Sequence, residues 1–235
     1  MPRRERREVS RGGEGGERPS GDVVYGRNPV REAQRGRRRV HRVWSAEDTE
    51  PGELTRLAGS PDHQGLVAAV DPYPYADPTS LLQRPDALVL ALDQVQDPRN
   101  LGAICRSAEA AGAAGVVICE RRAASVTPAA CKASAGAVEH LRVARVRNLA
   151  DWLGSAREAG AWVYGAEAEA EASYSTLDLS GRVVLVLGGE GSGLRPRVAA
   201  SCDLLAAIPT TGKVGSLNVS AAAAVLTFAA ARVAA

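Results

Sequence analysis

The sequence predicts an α/β protein in which a parallel β-sheet carries helices on both faces and follows a smaller α/β unit. From Ala87 onward, short apolar runs of strand length alternate with helical segments, a pattern typical of parallel sheets. Hydrophobic residues make up 45% of the 235 residues and aromatic residues only 4%, so the core must be aliphatic and rich in alanine. Residues 72–86 are rich in Pro, Asp and Tyr, and we interpret them as a linker between the two units.

The smaller unit is predicted at residues 22–71, after a basic tail at residues 1–21 that we expect to be disordered. A helix opens in VYGRNPVREAQ, where Asn28 is a candidate cap and Pro29 lies in the first turn. The runs RVHRVWSA, PGELTRLAG and GLVAAV then predict a strand, a short helix and a further strand.

The second unit is predicted at residues 87–235. Its strands are ALVLAL, GVVIC, HLRVARV, AWVYGA, VVLVLG and LLAAIP. Its helices are NLGAICRSAEAAG, with Asn100 as a possible cap, and segments near PAACKASAG, NLADWLGSAREAG, RPRVAASC and SLNVSAAAAVLTFAAARVAA. Periodicity alone predicts an open, doubly wound sheet, and ligands of such sheets bind beyond the carboxyl ends of strands. The loops after Leu92, Leu187 and Ile208 are therefore candidates.

Positive charge is concentrated at the front of the chain. Residues 1–43 carry 13 Arg and 6 Asp or Glu, a balance of +7, whereas the whole chain has a net charge of +2. This favours a polyanionic partner such as nucleic acid, although a solvated tail would give the same count. The four cysteines form no C-x-x-C pair, so we expect reduced thiols and no metal. The sequence has neither a bilayer-spanning apolar run nor a signal peptide, which favours a cytoplasmic protein.

A glycine-rich loop, in LVLGGEGSGLRP, follows the apolar run Val183–Leu187. Its glycine offsets do not match the dinucleotide fingerprint, and Glu190 would repel a pyrophosphate at the helix start. The phosphate-binding P-loop pattern also fails, because Gly212 and Lys213 are followed by Val214 and no glycine lies five residues earlier. A loop that combines bare backbone with a carboxylate suits a neutral or cationic ligand better.

Three segments carry a family resemblance: LALDQVQDPRNLGAICRSAEAAGAAGVVI, LVLGGEGSGLRP and IPTTGKVGSLNVSAAAAVLTFAAAR. In this order they resemble the three motifs of the SPOUT superfamily, over Leu88 to Arg232. The most similar branch is the TrmH-type RNA 2'-O-ribose methyltransferases, especially the one that acts on a guanosine of 23S ribosomal RNA. VYGRNPVREA and HQGLVAAV resemble the ends of that family's RNA-binding domain, which is similar to ribosomal protein L30e, with its interior shortened between Ser45 and Asp62.

The resemblance implies a carboxyl-terminal trefoil knot, although chains rarely thread through themselves. It implies S-adenosylmethionine as the methyl donor, bent between the loops Gly188–Gly193 and Ile208–Asn218, where glycines let the main chain approach the donor closely. It also implies a homodimer. The residues expected to bind the donor are Leu187, Gly188, Gly189, Glu190, Gly193, Ile208, Pro209, Leu217 and Asn218.

The same motifs imply five catalytic residues: Asn100, Arg106, Glu190, Ser216 and Asn218. Arg106 is either a general base or, as we favour, a phosphate clamp that stabilises developing alkoxide charge, because a guanidinium with a pKa above ~12 normally keeps its proton. We expect Arg106 and Asn100, six residues apart, to face one end of their helix. Glu190 would accept a hydrogen bond from substrate or orient Arg106, with helix capping or loop solubility as the alternative. Of Ser216 and Asn218, one would cap the next helix while the other points at the donor or the ribose.

RNA contacts are expected at Arg27, Arg99, Arg106 and Lys213. The leading hypothesis is methylation of a 23S ribosomal RNA guanosine. The alternatives are the same chemistry on transfer RNA or on another ribosomal site, and a non-catalytic RNA-binding paralogue. A nicotinamide-dependent oxidoreductase is disfavoured by the glycine spacing.

Overall fold

The computed structural model describes residues 21–191, 193–213 and 215–231, so the predicted basic tail lies outside it except for Gly21. The smaller unit consists of β1 (Asp22–Tyr25), α1 (Arg27–Arg35), β2 (Val40–Ser45), α2 (Pro51–Ala58) and β3 (Leu66–Val70). Its sheet is antiparallel, in the order β1-β3-β2. Sequence reasoning missed β1, because this short strand runs directly into Gly26, whose φ of 96° turns the chain into α1.

The second unit contains a seven-stranded sheet in which every neighbouring pair is parallel. Its strands are β4 (Leu88–Asp93), β5 (Gly115–Cys119), β6 (Val143–Val146), β7 (Trp162–Ala166), β8 (Ala172–Ser173), β9 (Val183–Gly188) and β10 (Leu204–Ala207). The order across the sheet is β6-β5-β4-β9-β7-β10-β8. The α/β class with a parallel sheet is confirmed, and the short β8 is an addition to it. The trefoil knot stays a prediction.

Helices cover both faces of this sheet. They are α3 (Pro98–Ala110), α4 (Pro128–Ala133), α5 (Leu149–Glu158), α6 (Pro196–Ala199) and α7 (Val219–Ala231). On one face Leu90, Leu92 and Leu185 belong to an apolar cluster with buried residues of α3 and α7. On the other face Val89 and Val184 belong to a cluster with buried residues of α5. Because successive strand residues point to opposite faces, strands buried on both faces are apolar throughout.

Two helix starts differ from the predicted ones. Asp97, not Asn100, caps α3: its Oδ1 accepts from the amide of Arg99 at 2.8 Å. Pro98 explains the difference, because proline favours the first helical position and so places the cap one residue before it. The N-cap of α1 is Gly26, without a side-chain bond, and Asn28 lies inside the helix, where its side chain accepts from Arg31.

The two units share one core. Val24 and Val30 of the smaller unit lie in the same buried cluster as Ile104 of α3. The predicted linker at residues 72–86 is packed: Leu81 and Leu82 are buried, and a short 3-10 helix spans Pro78–Leu82. The positions of the domain boundaries remain predictions.

A buried ion pair joins the two units. Arg38 Nε donates to Glu139 Oε2 at 2.9 Å and Nη2 contacts the other oxygen, with both side chains almost fully buried. Burial disfavours a charged guanidinium, but the hydrogen bond and charge of Glu139 outweigh burial and raise the pKa of Arg38 above its usual value. Tyr73 crosses the junction as well, since its hydroxyl donates to the Leu141 carbonyl at 2.8 Å. These bonds fix the smaller unit against the larger one.

Within the ranges that the structure describes, no helix is long and apolar enough to cross a bilayer. The thiols of Cys105, Cys119, Cys131 and Cys202 are all free. Burial raises the pKa of the Cys105 and Cys131 thiols to about 12, so these thiols are protonated at neutral pH and are poor nucleophiles.

Replacing Glu139 with Ala would leave the Arg38 guanidinium buried without its counter-charge. Because an unpaired buried charge is strongly unfavourable, we expect the free energy of unfolding in urea to fall by about 3–5 kcal/mol. Glu53→Ala, which removes the exposed partner of Arg56, is the matched control, with an expected loss below about 1 kcal/mol. Equal losses in the two variants would contradict this account of the junction.

Candidate ligand-binding site

A cavity of about 520 Å³ opens beyond the carboxyl ends of β7, β9 and β10. Its volume falls in the range of ~300–1,000 Å³ that small-molecule and cofactor sites occupy. Three loops and the first turns of α7 form its walls. The lining residues are Ala166, Glu167, Ala168, Leu187, Gly188, Gly189, Glu190, Gly191, Gly193, Ala206, Ile208, Thr210, Gly215, Ser216, Leu217, Asn218, Val219 and Ala222.

Close main-chain contacts shape the loop after β9. A β-carbon on Gly188 would clash with the backbone of Gly193, and one on Gly189 would lie 2.7 Å from the carbonyl oxygen of Gln94. Gly189 and Gly193 also form an antiparallel bridge, and Gly193 has a φ of 61°, which favours glycine. The loop therefore presents bare backbone to the cavity because only glycine fits at these crossings.

An ion pair anchors the end of this loop to β4. Asp93 is 1% exposed, and its carboxylate accepts from the Arg195 amide at 2.9 Å and from Arg195 Nε at 2.7 Å. The side-chain hydrogen bond to Asp93 and the charge of Asp93 raise the pKa of the Arg195 guanidinium. The loop is thus held at both ends, by β9 on one side and by the carboxyl end of β4 on the other.

Glu190 is joined to the first turn of α3. The Asn100 amide donates to Glu190 Oε1, and Asn100 is buried whereas Glu190 is exposed. The structure therefore pairs Glu190 with Asn100 instead of Arg106. The buried amide orients the Glu190 carboxylate, whose other oxygen has no hydrogen-bond partner within the described part of the chain.

Arg106 does not share a face of α3 with Asn100. Six helical residues turn about 600°, which leaves the two side chains about 120° apart. Arg106 is exposed, and within the described residues it has no hydrogen-bond or ion-pair partner. Arg99, seven residues earlier, is exposed as well and lies on nearly the same side of the helix. Buried Asn100 and exposed Arg106 therefore lie on different sides of α3, and the expectation that both face one end of the helix stays a prediction.

The loop after β10 forms the opposite wall. Asn218 caps α7, since its Oδ1 accepts from the Ser220 amide at 2.8 Å, and it also lines the cavity. Ser216 and Leu217 line the cavity too, and Leu217 is 43% exposed. Ile208 belongs to the wall, but Pro209 next to it does not.

Two predicted RNA contacts lie outside this wall. Lys213 is exposed and is not a lining residue. Arg27 is exposed in the smaller unit, where its amide donates to Gln64 Oε1 at 3.2 Å.

Sequence reasoning missed one wall, formed by Ala166, Glu167 and Ala168 after β7. It proposed the loop after β4 instead, which does not line the cavity but contacts the glycine-rich loop through Gln94 and, at the start of α3, through Asn100. β7 lies between β9 and β10 in the sheet, so its carboxyl end must open between their loops. Strand order is not readable from a single chain's periodicity, and the sequence offered no other signal for this wall.

The electrostatic character of the cavity is acidic. Its charged lining residues in the described part of the chain are Glu167 and Glu190, and no Lys, Arg or His accompanies them. Among the residues that the structure describes, no cluster of His, Cys, Asp and Glu could hold a metal ion. Bare backbone plus two carboxylates suits an uncharged or cationic ligand that hydrogen-bonds to main chain.

Comparisons with known proteins agree on one family. The model of the SpoU rRNA methylase family matches residues 87–228. A TrmH family tRNA/rRNA methyltransferase of Bacillus subtilis (strain 168), YacO, is 39% identical over 233 residues, covering 88% of this chain and 94% of that protein. The structure of an AdoMet-bound rRNA methyltransferase from Sinorhizobium meliloti has a TM-score of 0.79 at 26% identity, covering 90% of this chain and 87% of that one. A second structure concerns the 2-OH methylation of C/U34 on tRNA. It has a TM-score of 0.57 at 28% identity, and the match covers 63% of this chain and 96% of that one.

The glycine crossing generates a stability prediction. Gly188→Ala places a β-carbon against the Gly193 backbone, so the loop must shift, and we expect the free energy of unfolding to fall by about 1–3 kcal/mol. Gly212→Ala is the matched control, because a β-carbon there meets nothing within 4 Å. Denaturant unfolding of both variants measures the difference. A Gly188 variant as stable as the Gly212 variant would contradict the close crossing.

Proposed function

The chain belongs to the SpoU rRNA methylase family, and we propose that this RNA methyltransferase transfers a methyl group from S-adenosylmethionine to a ribose 2'-hydroxyl of a 23S ribosomal RNA guanosine. The cavity beyond β7, β9 and β10 is the observation that carries this proposal. Two of its walls come from the second and third family-like motifs, and they bring glycine backbone and the Asn100–Glu190 pair to one place.

The cavity fits this donor on three counts. Its volume suits a nucleoside-sized ligand. Gly188, Ile208 and Leu217 line the cavity, and their amides and carbonyls are proposed to meet adenine and ribose. The lining charges are carboxylates, Glu167 and Glu190, which complement a cationic sulfonium. Leu187, Gly189, Gly193 and Asn218 complete the proposed donor site, with Pro209 supporting it from outside the wall.

The reaction moves one carbon between two heteroatoms. The bond between the sulfonium sulfur and the methyl carbon breaks while a bond from the ribose O2' to that carbon forms. The sulfur leaves as the neutral thioether S-adenosylhomocysteine, and the hydroxyl proton passes to water. The protein's main contribution is to hold the hydroxyl in line with the methyl group. Well-oriented intramolecular reactions gain roughly 7–11 kcal/mol from such placement.

We assign the residues near the reacting hydroxyl by position. Asn100 fixes one oxygen of Glu190, and the other oxygen accepts the hydrogen bond of the 2'-hydroxyl. Arg106, exposed on α3, binds the adjacent phosphate and stabilises negative charge that develops on O2'. The side chain of Asn218 caps α7. Ser216 also lines the wall, and we assign it a hydrogen bond to the methyl donor or to the ribose.

The share of this chain that each known structure matches favours ribosomal RNA over transfer RNA as the substrate. The S. meliloti rRNA methyltransferase aligns with 90% of the chain, an extent that requires the smaller unit, whereas the structure concerned with tRNA aligns with 63%. The smaller unit is proposed to bind RNA, with Arg27 as one contact. Arg99 on α3 and Lys213 in the third loop are proposed to meet phosphates near the cavity.

A homodimer is proposed from the outer face of α7. Ala221, Val225 and Phe228 recur at helical spacing and are exposed, with Val225 at 37% and Phe228 at 47%. An apolar stripe on a helix next to the site suits a self-complementary contact with the same stripe of a second copy.

Methyl transfer to RNA tests the proposed function directly. RNA from cells that lack the protein is incubated with the purified chain and donor labelled in its methyl group, then digested to nucleosides and mapped. We expect label as a 2'-O-methylguanosine in 23S RNA. Label confined to tRNA supports the tRNA alternative, and donor binding without any transfer supports a non-catalytic paralogue. A chain that does not bind the donor would contradict the proposal.

Arg106→Ala is expected to lower the rate of methyl transfer at least about 100-fold, the scale of losing one group that stabilises transition-state charge. Affinity for S-adenosylmethionine, measured by calorimetry, should stay within about twofold, because Arg106 does not line the cavity. Arg84→Ala, at the amino-terminal edge of the sheet and paired with Asp86, is the control and should keep its rate. A fully active Arg106 variant would refute the assigned role.

Phe228→Asp is expected to convert the dimer to a monomer at micromolar concentration, because it buries a charge in an apolar interface. Light scattering measures the mass. Leu204→Asp changes a residue of similar exposure, 45%, on the sheet and should leave the dimer intact. A wild-type monomer, or a dimer in the Phe228 variant, would overturn the α7 interface.

A further inference from the structure

We infer that Glu167 selects the methyl donor over its demethylated product by charge. This inference rests on the proposed function and concerns a residue outside the three family-like motifs. It assigns a specificity role to the wall after β7, the part of the cavity that sequence reasoning missed.

The position of Glu167 follows from the strand order. β7 lies between β9 and β10, so the residue after its end stands between the two glycine-bearing loops. Glu167 Oε2 lies 3.2 Å from the point that a β-carbon on Gly193 would occupy. Oε1 accepts the amide of Ala168 at 3.1 Å. The carboxylate therefore lies beside Gly193 in the wall of the cavity.

Of the lining residues that the structure describes, Glu167 is the carboxylate whose side chain bonds to no other side chain. Glu190 is bonded to Asn100, whereas Glu167 forms no ion pair within the described part of the chain. No cationic side chain of the described lining offsets its charge. A half-buried carboxylate in such a wall creates a local negative potential, and charge–charge energies there exceed those in bulk water.

The donor and the product differ mainly in charge. The donor carries a sulfonium, an ammonium and a carboxylate, so positive charge is in excess by one. Loss of the methyl group converts the sulfonium to a neutral thioether and leaves the product with no net charge. Adenine, ribose and the amino acid portion are the same in both ligands, so a pocket that recognises shape alone discriminates poorly between donor and product. A negative wall favours the donor and promotes release of the product.

Calorimetry with each ligand tests this role. Wild type, Glu167→Gln and Glu169→Gln are titrated with S-adenosylmethionine and S-adenosylhomocysteine at low and high salt. Gln keeps the shape and one oxygen acceptor but removes the charge. Glu169 is an exposed carboxylate of the same loop that does not line the cavity, so its variant controls for the general loss of a nearby charge. Circular dichroism and melting confirm that the variants fold alike.

We expect Glu167→Gln to weaken donor binding about 3- to 10-fold, leave product binding within about twofold, and remove most of the salt dependence of donor binding. Glu169→Gln should keep the wild-type ratio of donor to product affinity. Equal weakening of both ligands would overturn the inference, because the carboxylate would then contact groups common to both. Unchanged affinities would overturn it too. Wild type that binds neither ligand would instead refute the proposed function, from which the inference starts.

Discussion

Close passage of the main chain beyond β9 is the constraint on which the site depends. Gly188 and Gly193 are in backbone contact, and Gly189 lies against the carbonyl of Gln94. Asp93 then holds Arg195, so the far end of the loop returns to the carboxyl end of β4. With no side chains at these crossings, amides and carbonyls themselves form the wall. Because the loop's own contacts fix its shape, the wall is organised before any ligand arrives.

The sequence predicted most of this architecture from local patterns. Strands such as β4 and β9 are apolar throughout because both faces are covered, and this signal lies in consecutive residues. The site was predicted less completely. Family-like motifs supplied the loops after β9 and β10, but the wall at Ala166–Ala168 depends on strand order, which is set by packing between distant segments. Asp97 took the α3 cap because Pro98 occupies the first helical turn, which left Asn100 to bond Glu190.

Helix α3 separates the acidic cavity from an exposed side that carries two arginines. Its buried side carries Asn100, which contacts the acidic cavity through Glu190. Its exposed side carries Arg99 and Arg106. A cationic small molecule and a polyanion are thus attracted to adjacent places without competing for the same side chains. A chain with a net charge of only +2 thus carries the acidic cavity that the proposed donor requires and the arginines that the proposed RNA contact requires.

The buried Arg38–Glu139 pair and the Tyr73 hydroxyl make the smaller unit a rigid extension of the larger one. A module on a flexible linker samples many positions, so it raises the local concentration of a bound ligand without fixing its orientation. A fixed module holds its ligand at one position relative to the rest of the protein. Any RNA held by the smaller unit is presented to the cavity at one distance and one angle, so the choice of nucleotide becomes a matter of geometry along the RNA. Target selection would then be re-tuned by changing the junction, without altering any residue that touches the base.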